Sequence, residues 1–249
     1  MNDLDGGPDV RRLAECLERA LRAAGSAERA LHEKAYLKSS LEHAGASLPT
    51  IRGCAKSVHW AHPEFTTTEV LGLADELWSA PLFDRRMAAV MLLDAYQDRF
   101  GPAELAEFER FIRDSHTWAL VDGLATDAIA GVVARAPLDR SVDATLRRWA
   151  DDRDFWVRRA ALLAHLRTLG RRGSFDGWGR FCEFADKMLD EREFFIRKAI
   201  GWVLREASKQ RPEPVRAWVL PRLPRISGVT LREAVRYLAP DDRAALLAA

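Results

Sequence analysis

The chain has 249 residues, long enough for one large domain or one array of repeats, and its 48% hydrophobic content allows a sizeable core. Charged residues make up 30%, well mixed in sign, which excludes a disordered chain. A formal net charge of +1 excludes nucleic-acid binding through overall charge; any basic surface must come from segregating charge onto one face.

Residues 1–9 are acidic and carry Gly6 and Gly7. They show neither the basic nor the apolar region of a signal peptide and read as a tail, with residues 10–249 as a single domain. From Val10 onward almost every long segment has helical period. Leu13, Leu17 and Leu21 recur every four positions, and a dense apolar stripe over residues 87–96 ends at Gln97, Asp98 and Arg99. No two-residue alternation of the kind a half-buried strand needs is sustained anywhere. Short breaks fall at residues 45–49, 61–67, 80–84, 100–102, 136–139, 170–179 and 210–214. Thr67 or Thr68 before Glu69 supplies a helix-start signal. The pattern predicts roughly a dozen helices, and no apolar run reaches the ~18 residues of a membrane span.

The segments resemble one another. Trp156-Val157-Arg158-Arg159-Ala160-Ala161 and Phe195-Ile196-Arg197-Lys198-Ala199-Ile200 are two copies of one pattern. Asp84-Arg85-Arg86-Met87-Ala88-Ala89 is another, and Leu231-Arg232-Glu233-Ala234 a weaker fourth. Arg158 and Arg197 are 39 residues apart, Arg85 and Arg158 73, and Arg197 and Arg232 35. A helix-turn-helix unit near 40 residues, with a basic start and small residues on its packing face, is the signature of HEAT or armadillo stacking. The expected fold is an all-α, HEAT-like/armadillo-type helical repeat solenoid whose concave face forms a long binding surface. Most such arrays are protein-binding scaffolds, so particular residues must decide the function.

Cys16, Cys54 and Cys182 are far apart and odd in number, forming neither a zinc pattern nor a disulfide framework. A reducing cytoplasm is the default location. His59 and His62 have an H-x-x-H spacing without a third ligand in register, so no metal and no cofactor is expected.

Three segments carry a resemblance. They are RDSHTWALVDG at 113–123, DDRDFWVRRAALLAHL at 151–166 and DEREFFIRKAIGWVLREASK at 190–209. Tyr36-Leu37-Lys38, Leu48-Pro49 and Arg52 add a weaker N-terminal match. In this order and at these separations, over about residues 28–240, they resemble the AlkD group of alkylpurine DNA glycosylases, built from HEAT-like repeats. The resemblance places the family's catalytic Asp on Asp122, its aromatic partners on Trp118 and Trp202, its motif Arg on Arg159 and a DNA-facing Tyr on Tyr36. The family motif often has two adjacent aromatics before the Asp, where this chain has Thr117 and Trp118. The stretch 170–179, GRRGSFDGWG, is also unusually long and basic.

The chemistry fits without the name. Trp118 and Asp122 are four residues apart, one helical turn, and share a face. Cleavage of an N-glycosidic bond develops positive charge on deoxyribose, and a nearby carboxylate stabilises that charge more in the transition state than in the ground state. The same carboxylate can orient or deprotonate the attacking water. Indole faces favour a cationic sugar or cationic purine. An alkylated purine cation is already a good leaving group, so one carboxylate suffices. Arg159, Lys198, Lys38, Arg52 and Lys56 can hold phosphates, and Arg159 can alternatively position the carboxylate.

The expectation is a monofunctional DNA glycosylase acting as a monomer on double-stranded DNA, cytoplasmic and nucleoid-associated, with no membrane partner. It would remove alkylated purines such as 3-methyladenine and 7-methylguanine in base excision repair. The alternatives are a relative specialised for bulky natural-product adducts in self-resistance, and an inactive DNA-binding or protein scaffold. Against every residue role stands a framework reading. Asp122 and Arg159 can belong to a repeat hydrogen-bond ladder, and Trp202 to the core. Trp78, Trp149, Trp156 and Trp218 are assigned to packing.

Overall fold

A computed structural model describes residues 9–248. Among them no strand forms; the only extended pairing is an isolated parallel bridge between Glu42 and Leu82. The chain divides into two compact units, Met1–Phe100 with Ser115–Leu124, and Gly101–Asp114 with Ala125–Ala249. Of the expected tail only Asp9 is described, and its side chain caps the first helix by accepting from Arg12 N.

The first unit contains α1 (Val10–Ala23), α2 (Ala27–Leu37), α3 (Leu48–Ala61), α4 (Thr67–Ser79) and α5 (Phe83–Ala95). The short helix α6 (Leu105–Arg113) belongs to the second unit, and α7 (Trp118–Gly123) returns to the first. Leu17 and Leu21 of the α1 stripe are buried. The cap of α4 is Thr66, one residue before the expected pair, because the reciprocal capping box needs a Thr three residues ahead of Glu69. The loop between α2 and α3 has no core of its own. It is held by Asp84, fully buried at the start of α5, whose carboxylate accepts from Ala44 N at 2.8 Å and Ala46 N at 2.7 Å.

The second unit continues through a π-helical turn, Leu124–Ile129, into α8 (Ala130–Arg135), α9 (Arg140–Ala150), α10 (Phe155–Leu163) and α11 (Leu166–Leu169). Then come α12 (Trp178–Lys187), α13 (Phe194–Ser208), α14 (Pro212–Val219), α15 (Gly228–Ala234) and α16 (Pro240–Ala248). The repeat register is visible in its polar bonds. Arg158 Nη1 donates to Asp152 O and Arg197 Nε to Glu191 O, both at 2.7 Å and both six residues back. In these two repeats the Arg thus folds onto the turn that precedes its own helix. Side chains also join equivalent turns of neighbouring repeats. Arg113 pairs with Asp152 and Arg148 with Glu109, each 39 residues apart. Arg147 with Glu183, Lys187 with Asp151 and Arg222 with Asp186 span 36.

Two groups set how this unit responds to acid. His165 is fully buried; its Nδ1–H donates to Ala161 O at 3.0 Å, leaving Nε2 to accept from Arg180 Nε at 3.1 Å. Burial, reinforced by the Arg180 charge, pushes its pKa from 6.5 down to about 3. Burial opposes ionisation of Glu109 as well, but hydrogen bonds from Arg148, Arg113 and Trp149 outweigh it and hold the carboxyl at about 2.

Both shifts are downward, so both contributions are complete above the unfolded pKa and fade as pH falls. His165 acts from 6.5 toward 3 and Glu109 from 4.5 toward 2. His43, also lowered by burial, adds to the histidine window. His165→Gln is expected to be less stable at neutral pH. Its stability should also fall less steeply between pH 6.5 and 4.5 than the wild type's, which loses up to about 1.4 kcal/mol per pH unit through this residue. Urea midpoints across that range decide it; a variant slope as steep as the wild type's would remove His165 as the cause.

Candidate active site

Asp122 and Trp118 lie on α7, a helix of six residues, and both are half-buried. Thr117 is the N-cap residue in extended conformation, and His116 before it takes a left-handed φ of 49°, so the chain turns sharply into the helix. The seat of α7 is fixed by Gly123, next to Asp122. A Cβ there would stand 2.6 Å from Val90 Cγ1 on α5, so only glycine allows this approach. Directly after it the backbone widens into the π-helical turn, a feature common near functional residues.

Tyr36, near the end of α2, brings its ring edge-on to Trp118, with centroids 5.8 Å apart and planes at 84°. It is 73% exposed, and a large aromatic left in water on one side is available to a ligand. Tyr36 and Trp118, far apart in sequence, thus form one aromatic corner on the element that carries Asp122. The short last turn of α2 ends at Lys38, left-handed at φ 50° and exposed. On α3, Arg52 and Lys56 are exposed and one turn apart, and the next position of that stripe is Trp60, 73% exposed. Its spacing from Arg52 and Lys56 in the sequence is the signal that places Trp60 on their face.

In the second unit, α13 carries Lys198 and Trp202 one turn apart, the first exposed and the second half-buried. Gly201 precedes Trp202, and a Cβ on it would meet Glu233 Cβ at 2.8 Å, so α13 and α15 touch closely here. Arg159 of α10 is buried at 2% exposure; its Nη1 donates to Phe195 O, and its guanidinium lies 5.7 Å from the Phe195 ring. Trp149 and Trp218 are core residues and Trp78 is buried, whereas Trp156 is only half-buried, on the surface side of α10. The sequence pattern could not separate it from the others, because its neighbours are apolar on both sides.

The sequence matches the family of DNA alkylation repair enzymes over residues 17–238. The chain belongs to this family. No curated protein matches it. Among solved structures it is similar to a predicted DNA alkylation repair enzyme from Enterococcus faecalis, with TM-score 0.74 and 23% identity over 87% of this chain and 97% of the other. It is also similar to AlkD2 from Streptococcus mutans, with TM-score 0.62 and 14% identity over 92% and 98%. A third is the alkylpurine DNA glycosylase AlkC from Pseudomonas fluorescens, bound to DNA containing an abasic site analog; here the TM-score is 0.52 and identity 17% over 96% and 64%. The expected all-helical repeat fold of this DNA alkylation repair family member is therefore the observed one. No described helix is long and apolar enough to cross a membrane.

The contact between Gly123 and Val90 generates a test of how Asp122 is placed. Gly123→Ala is expected to cost about 1–3 kcal/mol through overpacking. Combined with Val90→Ala, the pair should be more stable than the two single effects add up to, by at least about 0.5 kcal/mol. Strict additivity in chemical denaturation would mean that the close approach is not what seats α7.

Proposed function

We propose that this protein is a monofunctional DNA glycosylase that hydrolyses the N-glycosidic bond of alkylated, cationic purines such as 3-methyladenine and 7-methylguanine in duplex DNA. The observation that carries the reading is the Tyr36–Trp118 ring pair at the start of the short helix that carries Asp122 one turn further on. A carboxylate on the same helix face as an indole suits a reaction whose transition state gathers positive charge on the sugar.

In the proposed step the C1′–N bond breaks and its electron pair leaves with the purine, which departs neutral because it began as a cation. Water supplies the oxygen of the new C1′–O bond, and Asp122 orients it and takes up its proton. Trp118 and Tyr36 line the lesion, and Trp202, half-buried on α13, is an aromatic contact to the same DNA. Lys38, Arg52, Lys56 and Lys198, all exposed, hold phosphates and set the position of the duplex without reading its sequence. Burial of Arg159 and its bond to the Phe195 carbonyl support a positioning role for it rather than a grip on phosphate. No step needs a lysine nucleophile or a cofactor, so an abasic site with an intact backbone is the product.

Base release from duplex DNA bearing 7-methylguanine or 3-methyladenine is the decisive measurement. Wild type should release the base, and Asp122→Asn should lower the rate by about 10²–10³-fold, the usual cost of losing one preorganised electrostatic contact, while binding the same DNA as well as wild type. Equal release by the variant would remove Asp122 from the chemistry. DNA binding without any release would turn the reading toward larger adducts.

A further inference from the structure

The helices α10 and α13 each begin with two aromatic residues, Phe155-Trp156 and Phe194-Phe195, at equivalent positions 39 residues apart. The repeat brings them together. Trp156 and Phe155 have centroids 4.3 Å apart, Trp156 and Phe195 4.9 Å, Phe194 and Phe195 5.5 Å, and Phe155 lies parallel to Phe195 at 6.4 Å. Such clusters normally fill a core. This one does not: Phe194 is 50% exposed and the other three rings are half-buried.

The charges around it are one-sided. Every carboxylate on the two turns that lead into these helices is already engaged. Asp151 holds Lys187, Asp152 holds Arg113, Asp190 holds Arg225 and Glu191 holds Arg158. Asp154 and Glu193 cap α10 and α13. Arg153, Arg192 and Lys198 remain, exposed and without a carboxylate partner among the described residues, and Lys198 Nζ sits 5.8 Å from the Phe194 ring.

Exposed rings flanked by unpaired cations are the combination that holds an unstacked nucleotide: the rings take the base and the cations take its phosphates. A duplex offers no such base until one is unpaired, and excision of a purine leaves the base across from it without a partner. We propose that the Phe155, Trp156, Phe194 and Phe195 cluster is a stacking platform for an unpaired nucleobase, the one left opposite the excised purine. This rests on the glycosylase reading for its source of unpaired base, and on the cluster alone for the binding.

The test compares binding of a fully paired duplex with binding of the same duplex carrying one stable abasic analogue, for wild type, Phe194→Ala, Phe155→Ala and Phe194→Tyr. Wild type should prefer the duplex with the unpaired base. Each alanine variant should lose about ten-fold of that preference, within the usual range for one base–aromatic stack, with paired-duplex affinity and its salt dependence unchanged. Phe194→Tyr should retain the preference. No preference in wild type, or alanine variants indistinguishable from it, overturns the platform while leaving base release from paired, alkylated DNA as a separate matter. Failure of wild type to bind any duplex overturns both readings. Self-association of wild type in sedimentation, abolished by Phe194→Ala, overturns the platform in favour of an interface with a second copy.

Discussion

Everything in the second unit depends on holding helices in register at an interval of 35–40 residues. Burial of Ala160, Ala161, Ala199 and their apolar neighbours supplies the driving force, but burial is non-directional and would tolerate a slip of one turn. The ion pairs do not tolerate it. Arg113 to Asp152, Arg148 to Glu109, Arg147 to Glu183, Arg222 to Asp186 and Arg225 to Asp190 each join a fixed turn to the equivalent turn of the next repeat. Exposed pairs of this kind contribute little stability individually, about 0–1 kcal/mol. Their value lies in specifying which turn meets which. Glu109 is the exception in strength: at 13% side-chain exposure it receives two arginines and the Trp149 indole.

The first unit solves the same problem with backbone acceptors and donors. Asp84 takes two amides 38 and 40 residues back, the Tyr96 hydroxyl donates to His62 O at 2.8 Å, and Arg99 donates to Pro63 O at 2.8 Å. Asp84 thus fills a framework role in this unit. A fully buried carboxylate bound to two amides has no capacity left for a substrate. Asp122 is half-buried on a different helix, α7, one turn after Trp118. The two acidic residues look alike in the sequence and occupy unlike environments in the fold.

Much of this was legible beforehand, and the reason is periodicity. The 39-residue spacing of Arg158 and Arg197 reports a repeat because each Arg answers the same local demand, a bond to the carbonyl six residues earlier. The four-residue spacing of Trp118 and Asp122 reports a shared face because α7 is helical across both. What escaped was whatever depends on tertiary partners. The cap of α4 is Thr66 rather than Thr67 or Thr68, since successive threonines satisfy the local pattern alike until Glu69 selects the one three residues ahead of it. For Arg159 the sequence leaves a phosphate grip and a positioning role both open, because its neighbours, Arg158 and the following alanines, say nothing about the Phe195 carbonyl that it meets. The sequence assigns Trp156 to packing, and the apolar run around it does not reveal that its ring stays half-exposed while it packs on Phe155 and Phe195.

That last difference has a physical origin in the repeat itself. A repeat that uses an aromatic residue to open each helix buries that ring only where the next repeat covers it. In the weaker fourth copy, position 230 is Thr rather than an aromatic, and its hydroxyl instead donates to Arg197 O at 3.0 Å. At the first copy Phe83 is covered, stacked on His43 at 4.6 Å and only 3% exposed. Between them Trp156 and Phe195 retain their rings without such a cover. The half-exposed cluster is thus a departure from the packing seen in the first and fourth copies, maintained over two successive ones. An apolar surface that packing alone would remove is the kind of feature that binding can retain.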